Sequence, residues 1–363
     1  MLEKSNGAAT ASQEDMIERM GDLHDVAAPP VSADEVKALA LVHYGLDVSV
    51  QPLGGERDRN FHLRAAGERE YVLKVIHPAE DPDVSDFQSR MLLHVEDRDP
   101  QLPTPRVVRS KDDCYRVLWQ KAGESSRWVR CLTYLGGTPL YQAKRSVTQR
   151  RNLGTFLGRL DSALQDFRHG AENHDLIWDT KKALRIRHLL VHVPEREKRA
   201  AANVELDRFA EQLEPIVPQM RTQIIHNDFN PHNVLVQKAQ NEAIAGVIDF
   251  GDAVRSPVLQ DLAVAAAYHF ETEGHPLEGP GQVAEAFHAV HPLLPEEIAL
   301  LPDFIGARFA LAIAISYWRA AKHPSNAPYI MRNQAAAWFG LKRLNEVPRE
   351  EAIDWLQNKL GMR

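Results

Sequence analysis

The pattern of apolar and polar positions changes once along the chain. From 47 to 135 it consists of short β-type runs, VSVQPL, FHLRA, REYVLKVIH, RVVRS, CYRVLWQ and RWVRCLTYL, with turn residues between them. One helical stretch, DFQSRMLLHVED, interrupts these runs. After Gly136 and Gly137 the period becomes helical, first in RRNLGTFLGRLDSALQDF, then in VELDRFAEQLEPIV and in several segments from 259 onward. Embedded among these helices are two short strands, NVLVQ and AIAGVIDF, joined by the turn KAQNE. Ahead of all this, Ser32 is a good N-cap for the helix ADEVKALALVHYG, which Gly45 would stop. The pattern predicts an α+β chain in three parts. A disordered N-terminal arm covers 1–31; a lobe over 32–135 holds a mostly antiparallel sheet with one helix; a mostly helical lobe covers 136–363. A glycine-containing hinge near 135–137 joins the lobes.

Composition narrows the function classes. The chain has 363 residues, 44% hydrophobic and 26% charged, as soluble globular proteins do, and a formal net charge of −7. That balance gives no basic footprint for nucleic acid or an anionic membrane. Two cysteines, Cys114 and Cys131, cannot form a disulfide framework or a cysteine zinc cluster, and the histidines show no metal-ligand spacing. The N-terminus has no apolar leader, and the apolar run FALAIAISYW at 309–318 is too short to span a bilayer, so a cytoplasmic protein is expected. Trp128, Trp178 and Trp318 read as core or pocket walls.

The chemistry concentrates in HNDFNPHN at 226–233 and DFG at 249–251. Phosphoryl transfer needs an oriented acceptor hydroxyl, charge neutralisation and metal-bound phosphates. One carboxylate takes the hydroxyl proton; a second acid and an amide oxygen hold Mg2+. Asp228, Asp249 and Asn233 are candidates for those three groups. If the strands NVLVQ and AIAGVIDF form an antiparallel hairpin, the start of one lies beside the end of the other, and Asn233 meets Asp249. The bland reading is a carboxylate-rich structural loop, which the DFG after the second strand makes less economical.

Alternation in YVLKVIH places Val72, Lys74 and Ile76 on one face of a strand. A lysine on such an apolar strand needs a partner for its charge; nucleotide phosphate is one, and an edge position in solvent is the alternative. His226 reads as a buried scaffold residue. Asp261, at the start of an apolar helix, reads as a first-turn acid on the helix dipole.

These motifs, with LGGERDRNFHL, resemble the aminoglycoside phosphotransferase and protein-kinase-like superfamily, and within it the hydroxylysine kinase group, over about residues 33–345. The resemblance implies a bilobal protein-kinase-like fold and a kinase that uses ATP or GTP with Mg2+. It implies Asp228 as catalytic base, Asn233 and Asp249 on the metal, and Lys74 on the nucleotide phosphates. It implies Gly54, Gly55 and Asn60 in the phosphate loop, with Arg57 and Asp58 as further contributors, and the backbone around Tyr134 and Leu135 on the purine. It also implies that Asp261 braces the catalytic loop. The sequence departs from the superfamily where Lys74 usually meets a helix glutamate: helix phase puts Gln88 there, with Asp86 half a turn earlier. The expected acceptor is a small, hydroxyl-bearing, amine-bearing and cationic metabolite, hydroxylysine first, with homoserine, ethanolamine-like compounds and aminoglycosides as alternatives. Glu271, Glu273 and Glu278 are candidate acids for such a cation, and Asp252 either faces the site or caps a turn. A nucleotide-binding pseudokinase is the reading from another class; retention of Lys74, Asp228, Asn233 and Asp249 argues against it.

Overall fold

The structure, a computed structural model, describes residues 28–362 other than 56 and 122, so residues 1–27 of the expected arm lie outside the described residues. Ser32 caps helix α1 (Ala33–Leu39) in a reciprocal capping box with Glu35. The helix continues through a widened turn to Tyr44, where Gly45 adopts φ 68° and stops it.

Six strands then build an antiparallel sheet: β1 (Val48–Leu53), β2 (Arg59–Ala65), β3 (Glu70–Val75), β4 (Val107–Val108), β5 (Val117–Trp119) and β6 (Arg127–Thr133). Their order is β1-β2-β3-β6-β4, with β5 also on β6. Alternation on β3 buries Leu73 and Val75 against Phe61, Leu63, Val129 and helix α1, and turns Lys74 to the other face. Register sets Asn60, Lys74 and Arg130 side by side across β2, β3 and β6. Helix α2 (Pro82–Arg98) crosses between β3 and β4 in sequence. Its apolar stripe, Phe87, Met91, Leu92 and Val95, joins the same cluster as the C-terminal helices.

After the hinge, Gly137 passes so close to the next lobe that a Cβ there would sit 2.9 Å from the Val236 carbonyl oxygen. The short β7 (Thr138–Pro139) then pairs with β9 (Val234–Gln237). Helices α3 (Val147–Leu164), α4 (Arg196–Arg208), α5 (Val258–Ala266), α6 (Glu278–His288), α7 (Pro295–Lys322), α8 (Gln334–Leu344) and α9 (Arg349–Lys359) form the larger lobe. The apolar run at 309–318 is part of the 28-residue α7, which is long and apolar enough to cross a membrane by those criteria alone. Yet 94% of its most apolar window is buried inside the protein, so it serves as the core helix.

The hairpin after the loop 226–233 forms as an antiparallel pair, β9 with β10 (Gln240–Val247). Its turn is tighter than KAQNE suggested. Gln240 already pairs with Gln237, and bulges between Gln240 and Gly246 take up the extra residues. Strand β10 ends at Val247, one residue earlier than the apolar run implied.

Candidate active site

Two strands present the loop 226–233, which carries Asp228 and Asn233. It leaves β8 (Thr222–Ile225), which pairs with β11 (Val254–Pro257), and enters β9. The Asp261 carboxylate, on the first turn of α5, accepts hydrogen bonds from the backbone N–H groups of both His226 and Asn227, each at 2.8 Å. His226 is fully buried. Its Nδ1 accepts from the Asp228 N–H and its Nε2 faces the Ile248 carbonyl oxygen, so both contacts are met by one neutral tautomer with the proton on Nε2. Burial holds its pKa below the usual histidine range, in agreement. His226 thus links this loop to the strand end that precedes Asp249.

Asp228 is fixed by three side chains. Asn230 Nδ2 donates to its Oδ1 at 2.8 Å, Asn233 Nδ2 to its Oδ2 at 2.7 Å, and Arg308 Nη2 to its Oδ1 at 3.2 Å. Burial in the cleft raises its pKa to about 6 against the opposing pull of Arg308 and Asn230, with Asp249 adding repulsion. Because the Asn233 amide nitrogen is spent on Asp228, its Oδ1 is the end left for a cation. The Ile248 N–H donates to the Asn233 carbonyl oxygen at 2.9 Å, which brings Asp249 to the same end of the hairpin. Asp249 and Asn227 both adopt left-handed backbone, φ 64° and 65°, strained geometry for non-glycine residues on either side of Asp228 and Asn233. Burial would raise the Asp249 pKa, but Lys74, His226 and Arg57 outweigh it and hold the carboxyl low. Asp252 is pushed up to about 7 by burial and by repulsion from Asp228 and Asp249; Arg57, 3.4 Å away, pulls the other way.

Asp228, Asn230, Asn233, Asp249, Asp252 and Arg308 line one cavity of about 410 Å³ between the lobes, with Gly54, Gly55, Asn60, Lys74 and Gln88 on the sheet side. The loop needs Gly55 for space: a Cβ there would lie 2.3 Å from Asn60 Nδ2, whereas one at Gly54 would meet open space. Lys74 Nζ lies 3.8 Å from Asp58 Oδ2, and Asp58 Oδ1 accepts the His77 N–H. The expected Lys74–Gln88 contact is not made. Arg130, whose strand register places it beside Lys74, donates Nη2 to Gln88 Oε1 at 2.5 Å, and Gln88 Nε2 donates to the Gly251 carbonyl oxygen. A buried guanidinium demands an acceptor more strongly than a cleft-facing ammonium does, so it takes the amide oxygen.

Tyr134 and Leu135 do not line this cavity. The Tyr134 ring stacks on His62 with centroids 4.1 Å apart, and Leu135 abuts Gly246. The acids proposed for a cationic acceptor are also elsewhere: Glu271 pairs with Arg150, Glu278 pairs with Lys359, and neither they nor Glu273 line the cavity. The wall built by α7 and the segment after it instead carries Arg308, Arg319 and Arg332, with Trp178 and Tyr268 beside them. Motif reading overlooked these arginines. The available signal was Arg308, a charge inside the apolar run FIGARFALAIAI, which needs a buried partner.

No three described His, Cys, Asp or Glu side chains form a ready metal cage. The donor set still suits a divalent cation that keeps water and phosphate ligands, because a carboxylate and an amide oxygen meet beside two further carboxylates that repel one another.

Comparison with known proteins agrees with this layout. The family model described as "phosphotransferase enzyme family" matches residues 49–301. A hydroxylysine kinase of Mus musculus is 26% identical over 343 residues, covering 88% of this chain and 90% of its own. One from Danio rerio is 26% identical, with 91% and 96% covered. Among solved structures, an amicoumacin kinase with AMP-PNP, Ca2+ and Ami aligns at TM-score 0.64 and 13% identity, covering 88% of this chain and 95% of its own. A microcompartment-associated aminopropanol kinase aligns at 0.60 and 18%, covering 90% and 97%. At such identities the structural likeness speaks for the protein-kinase-like fold alone.

Proposed function

We propose that this chain, which belongs to the phosphotransferase enzyme family and is a small-molecule phosphotransferase acting on hydroxyl groups, transfers the γ-phosphoryl group of ATP or GTP, with Mg2+, to an amine-bearing metabolite, a hydroxylysine-like acceptor being favoured. The observation that carries the reading is the convergence of Asp228, Asn233 and Asp249 on one cavity that Lys74 faces from the opposite lobe. The acceptor preference draws support from the full-length resemblance to hydroxylysine kinases.

In this reading the phosphates lie beneath Gly55 and Lys74. Asn233 Oδ1 and Asp249 are the groups that would hold Mg2+, which supplies charge neutralisation on the phosphates. The Asp228 carboxylate orients the acceptor hydroxyl and receives its proton. The acceptor oxygen bonds to the γ-phosphorus as the bond from phosphorus to the β–γ bridging oxygen breaks, leaving nucleoside diphosphate. Asn230, Asn233 and Arg308 keep the base aimed at the cavity. His226 and Asp261 act through the loop backbone.

The test is acceptor-dependent release of nucleoside diphosphate from Mg-ATP and Mg-GTP over 5-hydroxylysine, homoserine, ethanolamine, choline and several aminoglycosides, with Asp228→Ala as control. Release with 5-hydroxylysine that disappears in the variant supports the reading. Nucleotide binding without stimulation by any acceptor moves the chain toward a pseudokinase.

A further inference from the structure

The acceptor-side wall of the cavity is built by α7 and the segment after it, and its charged groups are all cations. Arg308, Arg319 and Arg332 line it, and no carboxylate from residues 258–345 does so among the described residues. Arg308 is only 3% exposed; its Nη2 serves Asp228 and the Tyr268 side chain also interacts with the guanidinium, while Nε and Nη1 are buried with no acceptor in good hydrogen-bond geometry. Its guanidinium also lies over the Trp178 ring, 5.1 Å from the centroid. A buried arginine with unmet donors is costly unless a ligand meets them; Nε and Nη1 open on different edges of the guanidinium, so a carboxylate meets one of them, alone or together with the second hydrogen of Nη2, in charge-assisted hydrogen bonds. Arg332, more exposed and spread on the Tyr329 ring at 3.9 Å, stands on the same wall without a carboxylate partner among the described residues.

We infer that the acceptor carries a carboxylate, held by Arg308 and Arg332, a short distance along its chain from the hydroxyl presented to Asp228. The inference rests on the kinase reading for the identity of the reacting hydroxyl. It selects hydroxy amino acids over simple amino alcohols, and over polyamine antibiotics whose charges this wall repels. Trp178 then covers the apolar carbons between the two polar ends.

The experiment compares acceptors differing only by the carboxyl group: 5-hydroxylysine against 1,5-diaminopentan-2-ol, homoserine against 3-aminopropan-1-ol, and serine against ethanolamine. Each is tested for turnover, and for calorimetric binding to the Mg-ADP-loaded protein. We expect the acid member to be favoured by roughly 10- to 100-fold in kcat/KM, the scale of one or two charge-assisted hydrogen bonds. We also expect Arg332→Gln to shrink that ratio mainly through KM, and Arg308→Lys to shrink it further. Arg332 is exposed enough that its replacement does not threaten folding. Equal or better use of the amino alcohols overturns the carboxylate site and leaves the kinase standing. Arginine-dependent binding of the acids without turnover supports the site and counts against the proposed hydroxy amino acid kinase. Failure of any acid to bind or turn over overturns the site.

Discussion

Arg130 donates to Gln88 across the interface between the sheet and helix α2, where a lysine-to-glutamate contact would be expected in this fold. The guanidinium is fully buried, and burial lowers its pKa against the pull of Asp58, Asp249 and Glu80, so its charge depends on nearby acceptors. Gln88→Ala should therefore lose about 1–3 kcal/mol of stability, read as a fall in unfolding midpoint. A double-mutant cycle identifies the partner. Coupling between Gln88 and Arg130→Met should be near or above about 1 kcal/mol, and coupling with Lys74→Met below about 0.5 kcal/mol. The reverse order would restore the lysine as the helix's partner.

Asp228 and Asp249 should separate kinetically. Asp228→Ala is expected to lower kcat by roughly 10²–10⁴ with little change in nucleotide affinity, as removal of a positioned base does. Asp249→Ala should weaken Mg-nucleotide binding as well. Steady-state kinetics with calorimetric nucleotide titration distinguishes the two, and full turnover in Asp228→Ala would remove it from the role of base.

The raised pKa of Asp228, about 6, sets a pH dependence. Only the ionised carboxylate accepts the proton, so kcat/KM should fall toward tenfold per pH unit below that value. Arg308 favours the ionised form, and its loss therefore raises the pKa. In Arg308→Gln the acid limb should move toward neutral pH. A limb that stays in place would show that another group controls it.

Close helix packing offers a test of the larger lobe. A Cβ at Gly154 of α3 would lie 2.2 Å from the Val283 carbonyl oxygen on α6 and 3.0 Å from Ala286 Cβ. Backbone cannot yield as a side chain does. Gly154→Ala should cost about 1–3 kcal/mol despite the better helix propensity of alanine. Thermal unfolding reads this directly, and an unchanged or higher midpoint would mean the two helices slide apart freely.

Much of this was legible in the chain because its determinants are local. Alternating runs in 47–135 specify strands whatever they pair with, and the period change after Gly137 specifies helices. Hairpin geometry alone brings Asn233 to Asp249, since two adjacent antiparallel strands must bring the start of one beside the end of the other. Membership of the phosphotransferase enzyme family rests on a match over residues 49–301, a span that contains the same short motifs.

What the chain did not reveal depends on which side chains meet across distant segments. The choice of Gln88 as partner to Arg130 instead of Lys74 was decided by the burial of a guanidinium three strands into the sheet order. The removal of Glu271 and Glu278 from the cleft was decided by Arg150 and Lys359, cations from remote helices. The arginine wall exists because α7, read as a short apolar run, is a 28-residue core helix whose inner face passes the catalytic loop, 80 residues from Asp228 in sequence and 3.2 Å from it in space. Local sequence fixes the elements through backbone geometry and hydrophobic period. Charge partners are assigned only when packing removes water from some groups and leaves others in the cleft.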